Sequence, residues 1–184
     1  AEGAGVLLSV LPEGKLWGTL AAKEAIDGGA WVWKQVGKEA VEGSRYARPS
    51  EMFINDFALN GQRIAPKNLY REIRKSEIGR ETLDLIGENG IRVLLDYSKK
   101  QGVYGEAFGA DKSIVYVANT QSLQKTAQTI IHEVTHNIIN SKVYTRREEV
   151  IAHMREAKHL NPNLSFGEIR NIINQVKKLY PELP

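Results

Sequence analysis

Two histidines stand four residues apart in His132-Glu133-Val134-Thr135-His136. On a helix turning by about 100° per residue they project from one face, one turn apart, which lets two imidazoles share one cation. Leu123, Ala127, Ile130, Ile131, Val134 and Ile138 form a single apolar stripe. The histidines fall opposite its middle, so the pattern predicts a helix with an apolar back and a polar face lining a cleft. Glu133 points to the side of the pair, where a carboxylate can meet a metal-bound water. Its expected role is general base, with zinc bringing that water to a pKa of about 7 for attack on a carbonyl.

A catalytic zinc takes three protein ligands and a water, so a third ligand must come from outside this helix. The chain has no cysteine, which leaves only His and carboxylate. Thr145 and Glu148 have capping-box spacing, giving Glu148 a structural role at the start of a second helix and making it the weaker competitor for the metal. Glu149 is the expected third ligand. Val150, Ile151, Met154 and Ala157 form that helix's packing stripe, while Glu149, Ala152, His153 and Glu156 share another face. His153 is expected to orient the site or stabilise an oxyanion, and is the main rival ligand. Tyr144, between the two helices, is a candidate hydroxyl donor to a tetrahedral intermediate. His159 is read as structural, a cation at a helix C-terminus.

The elements that must position these groups form an α+β unit from 66 to 184, after a helical N-terminal segment and connector over 1–65. Residues 1 to about 45 suggest two short helices separated at Asp27-Gly28-Gly29, and 45–66, with Pro49, Asn60, Gly61 and Pro66, reads as the connector. Asn68 to Ile86 is expected to be helical with a break at Gly79, turning at Glu88-Asn89-Gly90 into a central strand, Ile91 to Tyr97. Gly109-Ala110-Asp111-Lys112 turns into a second strand, Ser113 to Ala118, in a hairpin. A last helix, Phe166 to Tyr180, opens on the Ser165/Glu168 capping box and carries a packing stripe of Phe166, Ile169, Ile172, Ile173, Val176 and Leu179.

Hydrophobic residues make up 42% and charged residues 26% of the 184, which excludes a disordered chain. The net charge of +3 comes from scattered lysines and arginines, so no nucleic-acid platform is expected. The apolar run from Ala4 to Leu11 is too short for a membrane span, and no signal peptide is read. Localisation is left open by the residues.

His132-Glu133-x-x-His136, followed by a helix bearing Glu149-Val150-Ile151-Ala152, resembles the gluzincin division of zinc metallopeptidases. The likeness implies a zincin-like fold, a small mixed sheet packed on the active-site helix, and hydrolysis of a protein or peptide, with Glu149 as third ligand. From Asn68 to Met154 the order of elements is also similar to the minimal metallopeptidase domains of bacterial effector and polymorphic toxins. That likeness implies secretion or delivery into a target cell and a cognate immunity protein or inhibitor. It further implies that Ile114 to Ala118 borders the cleft and pairs with extended substrate. The chain departs from the larger gluzincins in the short spacing from His136 to Glu149.

Two other classes compete. A metal-dependent nuclease would recast the same residues around a hard cation, although paired imidazoles favour zinc over magnesium. A non-catalytic domain would close the site with His132, His136, Glu149 and His153 together.

Overall fold

The computed structural model describes residues 48–56, 63–141 and 143–184. The helices expected around Asp27-Gly28-Gly29 lie outside the described residues, as does part of the connector. In chain order the elements are α1 (Pro49–Met52), β1 (Phe53–Asp56), α2 (Pro66–Ile73), α3 (Glu77–Asn89), β2 (Arg92–Asp96), β3 (Gly105–Phe108), β4 (Lys112–Tyr116), α4 (Val117–Thr120), α5 (Leu123–Ile139), α6 (Arg146–Leu160) and α7 (Phe166–Leu179). The described part is α+β, built on a small mixed sheet in the order β1-β2-β4-β3.

β2 pairs in parallel with β1, Phe53 opposite Val93, and in parallel with β4, Leu95 opposite Val115. β3 runs antiparallel to β4 with Gly105 opposite Val115. The alternation of β2 buries Val93 and Leu95 against Phe53, Val115 and the apolar side of α5, where Ala127, Ile130, Ile131 and Val134 are all buried in the same core. The stripe read on this helix is therefore its buried face. α2 and α3 complete the core with Leu69, Ile73, Leu83 and Ile86.

Several boundaries differ from expectation for physical reasons. The stretch read as a connector supplies α1 and β1, because pairing with β2 outweighs the weak local signal of a four-residue strand. The helical break lies at Arg74 to Ser76 instead of Gly79, since the Ser76 hydroxyl accepts the Gly79 amide at 2.9 Å and caps α3. Gly79 is needed there for another reason: a Cβ would sit 1.6 Å from the Ile73 carbonyl oxygen. β4 ends at Tyr116, with Val117 and Ala118 in α4. β4 is also internal to the sheet. Among the described residues the edge strand on that side is β3, so the expectation that Ile114 to Ala118 forms that edge is corrected.

On α6, Val150 and Met154 are buried as expected, but Ile151 and Ala157 are only half-buried while Ala152 is fully enclosed. The α7 capping box forms. Its stripe is used in part, with Ile169 and Val176 buried and Phe166 and Leu179 exposed. No helix among the described residues is long and apolar enough to cross a membrane.

Candidate metal centre

α5 and α6 hold the site between them, and each begins on its own cap. Ser122 accepts the Lys125 amide at 3.1 Å, and Thr145 accepts the Glu148 amide at 3.3 Å. At the other end of α5, Asn137 donates to the carbonyls of Gly109 and Lys112 at 2.8 and 2.9 Å and accepts from Ser113. This fixes the helix to the β3–β4 turn. Near the middle, Gly105 lies so close that a Cβ there would be 2.7 Å from Glu133 Cγ and 2.8 Å from Thr129 Cγ2. The edge strand thus runs directly beside Glu133, and only glycine permits the approach.

The ring nitrogens of the two spaced histidines converge, His132 Nε2 to His136 Nε2 being 3.2 Å. From α6, Glu149 Oε1 lies 3.2 Å from His136 Nε2, and Glu149 Oε2 lies 3.7 Å from His132 Nε2 and 3.5 Å from His153 Nε2. Tetrahedral zinc with bonds of about 2.0–2.1 Å separates its donor atoms by about 3.3 Å, so these distances match the edges of one coordination polyhedron. The buried cluster of His132, Glu149 and His153 could hold a metal ion, and His136 meets the same carboxylate.

The polar accounting points the same way. Only 1% of the Glu149 side chain is exposed, yet its Oε2 has no hydrogen-bond partner, and neither does buried His153 Nε2. Buried acceptors left in this state are costly, and a cation between them removes the cost.

Charge at the site is unevenly held. Burial acts to raise Glu149, but His136, His132 and His153 around it hold its carboxyl below the ordinary value. Burial lowers His132, favouring the neutral ring that a ligand requires. Burial, then the neighbouring charge of Glu149, pushes Glu133 up to about 8. A divalent cation at the adjacent donors would reverse that, because it becomes the largest local charge.

The other expected residues are placed as follows. Tyr144 is 45% exposed, with its ring 5.3 Å from that of His136. Glu148 is held by the Ser141 hydroxyl, so it is turned away from the capping-box geometry expected of it. His159 is no dipole-complementing cation: burial lowers it, and its Nδ1 meets Ser76 Oγ at 2.7 Å, joining α6 to α3.

Three residues were missed. Glu156 approaches both His132 and His153 and pairs with Lys125 at 2.5 Å. Lys125 itself sits about two turns before His132. Tyr180 follows α7, and its hydroxyl meets Glu149; burial, then that carboxylate, holds it above the usual phenol range. Its ring arrives because Arg146 binds the carbonyls of Tyr180, Pro181 and Pro184 at 3.3, 2.9 and 2.9 Å.

No family model matches the sequence, and no curated protein or solved structure matches it.

Proposed function

We propose that this chain is a zinc-dependent endopeptidase with a zincin-like catalytic unit. The observation that carries the reading is the convergence of three imidazoles and the Glu149 carboxylate on one point beside Glu133, with Glu149 Oε2 and His153 Nε2 buried and without a hydrogen-bond partner. Three imidazoles and one carboxylate form a donor set suited to zinc, whereas magnesium prefers oxygen. His132, His136 and Glu149 would hold the ion. When bound, zinc supplies Lewis acidity, bringing a water to a pKa of about 7 and polarising a carbonyl.

Glu133 then takes the proton of the attacking water and passes it to the leaving amine. Tyr180, kept protonated by its surroundings, is the hydroxyl suited to donate to the carbonyl oxygen as negative charge develops. Tyr144, on the outer side of His136, takes the lesser part. Among the described residues β3 is paired on one side only and runs beside Glu133, so an extended peptide adding to its other side would bring its carbonyl to the site. On the likeness in element order, the peptidase is a toxic domain delivered by bacteria and silenced in its producer by an inhibitor.

The test pairs metal analysis with cleavage of casein and of a whole proteome. One zinc per chain is expected, with Glu133→Gln keeping the metal and losing about 10²- to 10⁴-fold in turnover. Full activity in that variant removes the general-base assignment, and a chain that takes up no zinc ends the reading.

A further inference from the structure

The polar cluster extends past the ligands. Glu156 Oε2 lies 3.3 Å from His132 Nδ1 and 3.5 Å from His153 Nδ1, while Oε1 accepts from Lys125 Nζ at 2.5 Å. One carboxylate oxygen therefore lies beside Nδ1 of two imidazoles on different helices, His132 Nδ1 being otherwise buried without a hydrogen-bond partner. Lys125 is itself laid over the Tyr104 ring at 5.1 Å. A carboxylate oxygen facing a ring nitrogen is satisfied when that nitrogen carries the hydrogen, and the neutral ring then has its lone pair at Nε2.

For His132 this is the state that ligation requires. For His153 it decides between two roles. Its Nε2 is buried without a partner and faces Glu149 Oε2, which is equally without one. A lone pair opposite a carboxylate oxygen is repulsive unless a cation lies between them. A ring in this state can ligate, but it cannot donate to an oxyanion.

We propose that Glu156 is a positioning residue shared by His132 and His153, turning the N–H of both rings toward itself and making His153 a metal donor in place of an oxyanion donor. The proposal rests on the metal-site reading and completes it. His132, His136, Glu149 and His153 then supply four donors in the resting site. His153, with 29% of its side chain exposed against 1% for Glu149, is the donor whose release opens a position for water.

Nitrogen-15 shifts of the histidine side chains, measured on the whole zinc-loaded chain at neutral pH, read this directly. His132 and His153 should both be Nδ1–H. An Nε2–H at His153 overturns the proposal, whatever the protein does to peptides. In parallel, Glu156→Ala should weaken zinc binding about 10- to 100-fold and shift the visible bands of the Co²⁺-loaded protein. Glu156→Gln, which keeps an acceptor oxygen, should retain more of the affinity, and His153→Ala should move the same bands. Unchanged bands and affinity in folded Glu156→Ala and His153→Ala overturn it. If Glu156→Ala does not fold, the isotope measurement still decides, since it uses the unaltered chain. Should the wild type bind no metal, the peptidase reading fails, while the ring tautomers of the metal-free chain still test the role of Glu156.

Discussion

Helix α6 carries buried polar groups toward two different neighbours, and the two sets are completed differently. Toward α3, Arg155 meets Glu81 at 2.8 Å and Thr82 at 3.2 Å, and His159 meets Ser76 at 2.7 Å. Toward α5, Glu149 is enclosed and His153 partly so, but Glu149 Oε2 and His153 Nε2 face one another without a hydrogen bond. In the first set the Arg155 guanidinium and the His159 ring each find partners within the protein, which is what a structural role requires. The second set leaves room for a metal ion to complete it. One helix thus carries both sets within about three turns.

The comparison breaks if substitutions on the two sides have like effects. The largest separation is expected in metal affinity. Glu149→Ala should lose more than the roughly 100-fold typical of a group that only orients a ligand, whereas Glu148→Ala, whose carboxylate is held by Ser141, should leave zinc competition titrations close to wild type. Next comes Gly105→Ala, which drives a methyl into Glu133. Turnover should fall by up to about 10²-fold, with zinc content retained.

A third contrast is visible in the metal-free chain. Glu133 holds its proton up to about pH 8 when folded, but only to about 4.3 when unfolded. The folded state therefore binds the proton more tightly. Its contribution is full below the unfolded value and lost as pH rises through the folded one. Relative to Glu133→Gln, the wild-type melting temperature in chelator should fall between about pH 4.3 and 8, and added zinc should reduce the difference. A parallel pH dependence in the two proteins would show that Glu133 is not the buried acid described. The smallest effect is expected on the structural side: His159→Ala should cost about 1 kcal/mol in denaturant melts and leave zinc affinity unchanged.

The legible parts of the fold were those written in local periodicity. The α5 stripe and the spacing of His132 and His136 are both readable within two turns, and the capping residues Ser165 and Thr145 mark helix starts directly. β1 and β3 were not legible as strands. Phe53-Ile54-Asn55-Asp56 is too short to alternate clearly and is held by parallel pairing to a distant segment, while Gly105-Glu106-Ala107-Phe108 contains no β-branched residue. Because β3 was not seen, the edge was assigned to β4. In the site, Glu149 could be found by elimination along one helix face. Glu156 shares that face, but its role depends on Lys125, 31 residues earlier. Tyr180 reaches Glu149 only after the chain doubles back to Arg146, and no residue spacing records that return.

The way the C-terminal stretch is fastened has a mechanical consequence. Residues 180 to 184 are bound to Arg146 at the head of α6, so Tyr180 travels with Glu149 and His153. His132, His136 and Glu133 instead belong to the sheet through Asn137 and Gly105. The donors are thus divided between two helices with separate anchorages, and a metal ion held by all of them would act as a rivet between α5 and α6.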